Sequence, residues 1–289
     1  MQDTILSRPD GTVVGVNQRA RDFMPFMITP NAPNTNIVIP AGLGVGEFTM
    51  MVSGDGPASV CGLAAERDHG CKVLLKQQEG RNIRPLMNGA CHIDTIFGTG
   101  QTPYPMPQPL FIDELRRLTV TLTDLGTTPN NVRLNALSAR ATSSEADPTL
   151  AKARRRQDFR QFLEIPYWYT FDNGFIDMTG LTVFEQVITI APDHHFMLSQ
   201  LSKISTAEFF IDIIDIAKGE SLIYAPQGTH YGVSSKLLFG DGNYPYCFLE
   251  PRLFQVNQKI LLRMSNQAVG VNTVFLTLGG VAVADRLWR

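Results

Sequence analysis

Phe97-Gly98-Thr99-Gly100 recurs as Phe239-Gly240-Asp241-Gly242, and beyond that point the two stretches run in step without a gap. At the same displacement of 142 residues (97 to 239), Pro103-Tyr104 falls on Pro245-Tyr246 and Pro109 on Pro251. Leu118, Val120 and Leu122 fall on Ile260, Leu262 and Met264, while Asn130, Val132 and Leu134 fall on Asn272, Val274 and Leu276. A two-residue period sends alternate side chains to opposite faces of an extended chain, so each matched segment reads as a β-strand. Between the strands, Thr127-Thr128-Pro129-Asn130-Asn131 and Ala268-Val269-Gly270-Val271-Asn272 carry hairpin chemistry. The chain is read as an internal duplication.

Upstream the match continues with loop gaps: Ile37-Val38-Ile39-Pro40 is set against Ile188-Thr189-Ile190-Ala191-Pro192, and Phe48-Thr49-Met50 against Phe196-Met197-Leu198. Repeat one is placed at 36–142 and repeat two at 184–289. Short strands with frequent turn signals predict an all-β chain of two tandem β-sandwiches, of jelly-roll or immunoglobulin type. Residues 1–35 hold Pro25, Pro30 and Pro33 among asparagines and predict an extended arm lying on a neighbouring subunit. Residues 143–183 are expected to link the repeats through a helix over about 148–164, with Asp147 as cap, Pro148 in the first turn and Pro166 as terminator.

With 289 residues, 44% of them hydrophobic and 18% charged, the chain can bury large cores, which excludes a disordered or collagen-like protein. Lys+Arg number 25 and Asp+Glu 27, a net charge of -2 that provides no general field for nucleic acid or anionic membrane. The richest apolar run, Phe209 to Ala217, is interrupted by Asp212 and Asp215, so no membrane span is expected. Met1 to Pro9 lacks a secretory signature, so synthesis in a cytosol is expected, with Cys61, Cys71, Cys91 and Cys247 reduced.

Candidate chemistry is sparse. Lys152, Arg154, Arg155, Arg156 and Arg160 offer a basic cluster for an acidic partner or phosphate, or a solvated helix face. Gly42-Leu43-Gly44-Val45-Gly46 lacks dinucleotide-loop spacing and leads into a strand, so it reads as a turn. Cys61, His69, Cys71, Cys91 and His92 are soft ligands without standard zinc spacing, and the sequence has no G-x-S-x-G nucleophile elbow. Tyr167, Trp168 and Tyr169 could form a sugar-stacking platform, an interface or a packed strand. No cofactor is expected.

Pro226-Gln227-Gly228-Thr229-His230 resembles a degenerate second motif of the cupins, a jelly-roll family with metal-binding histidines. The first cupin motif departs here, since His194 and His195 are adjacent and no glutamate follows closely. That resemblance implies His194, His195 and His230 as metal ligands of an enzyme or small-molecule binder.

As a whole, the repeated Phe-Gly-x-Gly, Pro-Tyr and Asn-x-Val-x-Leu elements, the proline-rich arm and the bridging helix resemble virion structural proteins of tailed bacteriophages, of the head-decoration, cement or collar kind. The resemblance implies a non-enzymatic homo-oligomer, made in the host cytoplasm, docked on capsid or neck proteins of the virion, with neither membrane nor specific nucleic acid as partner. The interface is then expected at Pro30, Pro33, Arg154, Arg155, Arg156, Tyr167, Trp168 and Tyr169. A carbohydrate-binding adhesin using the three aromatics is the remaining alternative.

Overall fold

The computed structural model describes residues 37–51, 58–79, 81–112, 116–141, 164–223 and 232–284, with the strands β1 (Leu6–Ser7), β2 (Val13–Val14) and β3 (Phe23–Ile28) before them. The chain is all-β. The α-helices among the described residues are single turns, α1 (Ile93–Ile96) and α2 (Ser235–Leu238).

The first unit continues from β3 through β4 (Ile37–Ile39), β5 (Val45–Met50), β6 (Ala58–Arg67), β7 (Cys71–Glu79), β8 (Asn82–Pro85), β9 (Cys91–His92), β10 (Tyr104–Ile112), β11 (Arg116–Asp124) and β12 (Asn130–Ala141). The second repeats the series as β13 (Glu164–Thr170), β14 (Ile176–Thr179), β15 (Val183–Thr189), β16 (His194–Ser205), β17 (Phe209–Asp215), β18 (Glu220–Ser221), β19 (Val233–Ser234), β20 (Tyr246–Phe254), β21 (Lys259–Asn266) and β22 (Val271–Ala284).

One sheet of the first unit has the order β10-β6-β12-β3, with β4 also on β12, and the other has β5-β11-β7-β8, with β9 also on β7. In the second unit the orders are β20-β16-β22-β13, with β14 on β22, and β15-β21-β17-β18, with β19 on β17. With each interrupted pair counted as one strand, strands one, eight, three and six share a sheet and two, seven, four and five share its partner. Apart from the hairpin of strands four and five, successive strands therefore cross between antiparallel sheets in the jelly-roll manner, which decides between the two sandwich types.

Register repeats with topology. Leu137 and Ser138 pair with Gly62 and Val60, leaving Cys61 out as a bulge, while Gly279 and Gly280 pair with Gln200 and Leu198, leaving out Ser199. On the neighbouring strands Pro105 and Leu110 bracket the same irregularity as Cys247 and Arg252. A bulge is a position-specific departure from pairing, so its recurrence at the same point marks both units as versions of one backbone.

The repeated motifs have physical causes. Gly98 forms a parallel bridge with Ala64, and Gly240 one with Ser202. A Cβ on Gly98 would strike Thr102 O, and one on Gly240 would strike Tyr244 O, so neither position admits a side chain. Asn130 and Asn272 are fully buried at the start of the last strands. Asn130 donates to Asp124 Oδ1 at 3.2 Å and accepts from the Asp68 amide at 3.2 Å; Asn272 donates to Asn266 Oδ1 at 3.1 Å and accepts from the Ala207 amide at 2.9 Å. Each amide thus ties two turns together.

Three expectations change. β4 is equivalent to β14 and β5 to β15, so the upstream match of Ile37 to Ile188 and of Phe48 to Phe196 is one strand out. The expected linker over 143–183 ends in β13 and β14, both paired to β22, so strands of the second unit begin at Glu164, and Pro166 sits inside a strand. Within the expected arm, β3 pairs with β12 of its own chain. The expected bridging helix lies outside the described residues up to 163, and Glu164 is already strand.

Alternating strands such as Phe209, Ile211 and Ile213 on β17 fill the space between the sheets. The buried apolar cluster is continuous across both units.

Candidate functional site

The aromatic strand β13 forms the seam between the units. On one side it pairs with β22, with Trp168 opposite Gly279, and on the other its backbone meets the first unit. The Trp168 amide donates to Leu86 O at 3.0 Å and the Asn88 amide donates to Trp168 O at 3.2 Å. The Asn88 side chain closes a second ring, donating to Thr170 O at 2.9 Å and accepting from the Thr170 amide at 2.7 Å. The edge of the second unit's sheet is covered by the first.

Side chains lock this contact. Trp168 Nε1 donates to Tyr104 Oη at 3.0 Å, Tyr104 donates to Gln200 Oε1 at 2.7 Å, and Gln200 Nε2 donates to Pro105 O at 3.0 Å. Burial drives the Tyr104 phenol above its ordinary range, so it stays a donor. Ser202 donates to Thr95 O at 2.6 Å, and Thr277 donates to Thr95 Oγ1 at 2.8 Å. Asn243 Oδ1 accepts from the Thr99 amide and from Thr102 Oγ1, both at 2.9 Å. Gly242 donates to Asp94 O at 2.6 Å, and a Cβ there would strike Phe97 O.

Of the readings of Tyr167, Trp168 and Tyr169, the burial of all three inside the chain fits the packed strand, and it departs from the exposed interface between subunits and from the glycan platform. Their polar atoms serve that interior, since Tyr169 Oη bonds His194 Nε2 at 2.9 Å and accepts from the Ala191 amide at 2.9 Å. Pro30, Pro33, Arg154, Arg155, Arg156 and His230 lie outside the described residues.

The ligand candidates do not converge. His194 is buried with Nδ1 at 2.7 Å from Asp193, and burial lowers its basicity despite that carboxylate. His195, the adjacent residue of β16, is also buried. In the first unit His69 bonds Asp124 at 2.7 Å, whereas His92 accepts from the Asp94 amide at 3.3 Å and lies against Phe275. Burial pushes the Cys71 thiol up to about 12 and the Cys91 thiol up to about 11, which disfavours the thiolate a metal requires. Among the described residues no group of three or more His, Cys, Asp or Glu is arranged to hold a metal ion.

The accessible feature is the second unit's counterpart of the buried seam. Under the displacement of 142 residues, Thr95 corresponds to Leu237, Thr102 to Tyr244, Tyr104 to Tyr246 and Pro107 to Leu249. Thr95 and Tyr104 are 0% exposed, whereas Leu237 is 78% and Tyr244 71% exposed. Leu249 is fully exposed, with Tyr246 and Leu253 also on the surface. Large exposed apolar groups are thus collected on α2 and β20. Sequence reading passed over them, although the exchange of Thr95 for Leu237 beside a matched Phe-Gly-x-Gly was a readable signal.

Fold and surface together define a class: an all-β protein of two tandem jelly rolls fused across a buried seam. No protein-family model matches the chain, and neither does any curated protein. Among solved structures it is similar to a chain of the Sulfolobus Turreted Icosahedral Virus, with 12% identity over 86% of this chain and 60% of that one, at a TM-score of 0.25. It is similar to the PBSX exported protein XepA, with 10% identity over 97% and 99% of the chains and a TM-score of 0.24. It is also similar to the β-porphyranase BpGH86A of Bacteroides plebeius, with 11% identity over 88% and 38% and a TM-score of 0.19. The chain spans about 60% of the virus chain's length, and likenesses at these scores decide neither fold nor function.

Proposed function

We propose that this is a non-enzymatic virion structural protein whose copies join into a symmetric oligomer and dock on capsid or neck subunits of the same particle. The observation that carries the reading is the fusion of two jelly rolls of one strand order into a single block through the Trp168, Tyr104 and Gln200 seam. Jelly rolls serve as viral coat, lectin and cupin modules. A lectin reading needs Tyr167, Trp168 and Tyr169 at the surface, where they are not, and a cupin reading needs His194 free to bind metal, whereas both its ring nitrogens are engaged. A coat protein needs a rigid block with a surface suited to protein contact, which the seam and the α2–β20 face supply.

Synthesis in a host cytoplasm followed by incorporation into the virion belongs to the same proposal. Light scattering and metal analysis on one purified sample test it, with negative-stain images of the same fractions. Metal-free rings or larger assemblies are the expected result. A monomer carrying one stoichiometric transition metal would overturn it.

A further inference from the structure

We infer that the exposed α2–β20 face of the second unit docks the first unit of another copy of this chain, repeating between molecules the seam that joins the two units within one. The inference deepens the assembly reading above and rests on its oligomer. Its basis is equivalence of position. Within the chain, α1 and the start of β10 of the first unit lie against β13, β16 and β22 of the second. The second unit presents the corresponding elements, α2 and β20, to solvent. In the first unit the receiving elements at the corresponding positions are β3, β6 and β12, with Ala64 of β6 buried and Leu137 of β12 exposed.

The receiving side matches in register. Met27 of β3 lies opposite Leu137 as Trp168 of β13 lies opposite Gly279, and among the described residues β3 ends its sheet where β13 is covered by the first unit. Leu137 and Cys61 are exposed there. The exchanges on the two sides are concerted. Where the internal seam has Thr95 against Ser202 and Thr277, the external version has Leu237 facing the positions of Ala64 and Asn135. Leu237 and Ala64 thus stand where the internal seam has the Thr95 and Ser202 hydroxyls, and the exposed Leu237 and Leu137 supply the apolar area to be removed from water, which suits a surface formed after folding. The face and its receptor are different surfaces, so the contact is head-to-tail and closes into a ring when the rotation permits.

Full-length protein tests this. Leu237→Glu replaces an exposed side chain, so the fold is retained, which circular dichroism checks; Leu181→Glu, also exposed but in the turn after β14, is the control. By light scattering the wild type and Leu181→Glu are expected to give the same oligomer and Leu237→Glu a monomer. The exposed thiols Cys61 and Cys247 flank the proposed contact, whereas Cys71 and Cys91 are buried. A short bis-maleimide is expected to yield a species of twice the chain mass on a denaturing gel, lost in Cys61→Ser and in Cys247→Ser alike. A product surviving in either single variant signifies a symmetric, like-to-like contact and overturns the inference, as does an oligomer indifferent to Leu237→Glu. A wild-type monomer overturns the assembly reading itself.

Discussion

Tyr104 shows how much one hydroxyl carries when two units share it. It accepts from Trp168 and donates to Gln200 in a fully buried site, so Tyr104→Phe leaves the indole N–H and the amide oxygen without that partner. An unpaired buried polar group costs about 1 to 3 kcal/mol, and the denaturation midpoint is expected to fall accordingly. A loss below about 0.5 kcal/mol would place the seam's strength elsewhere. His194 couples the same region to pH. Burial holds its folded-state pKa below the ordinary 6.5, so as pH falls the unfolded chain takes up the proton first. Stability is complete above about pH 6.5 and is lost as the pH drops through the folded-state value. Melting temperature is expected to decline between about pH 7 and pH 5, less steeply in His194→Gln; equal slopes for the two proteins would discard the assignment. His92, shifted down by burial as well, adds to the wild-type slope and remains in the variant.

At the level of elements, the hairpin between the seventh and eighth strands appears twice, with Asn130 and Asn272 in the same role. Asn130→Ala and Asn272→Ala are each expected to cost about 1 to 3 kcal/mol, and the double variant about their sum, because the sites share no partner. Strong non-additivity in denaturant unfolding would show that the two turns communicate. Glycines divide in the same way. Gly98→Ala forces a Cβ onto the backbone at Thr102, whereas Gly100→Ala meets nothing within 4 Å, so the first is expected to destabilise and the second to be tolerated. These positions also explain what the sequence made legible. Asn130, Asn272, Gly98 and Gly240 answer to local backbone geometry, which every copy of a jelly roll must satisfy, so they persisted in both halves. The upstream strands answer only to burial. Met50 and Ile188, both buried, occupy one structural position with different residues, and a strand-length slip in their match went unopposed. The site was less legible for a related reason. Trp168 between two tyrosines has the composition of an interface, and it is one, but its partner is the other half of its own chain.

For the molecule as a whole, the continuous core and the polar seam bear on whether the two units unfold separately. Tandem domains joined by a linker alone melt independently, whereas units that share buried surface stabilise one another. Here Trp168 and Tyr104 are fully buried and bonded to each other across the seam, so unfolding one unit takes a buried partner from the other. The full chain is therefore expected to give one calorimetric transition, with calorimetric and van't Hoff enthalpies in agreement. Gly242 allows that coupling to be broken without altering either jelly-roll interior, since it lies in the loop before β20 and abuts Phe97 O and Asp94 O across the seam. Gly242→Val sets a branched side chain against that backbone and must push the units apart. Its calorimetric trace is expected to split into two transitions, with the lower one well below the wild-type midpoint. A single unshifted transition in Gly242→Val would mean that each unit carries its own stability and that the seam serves only to orient them.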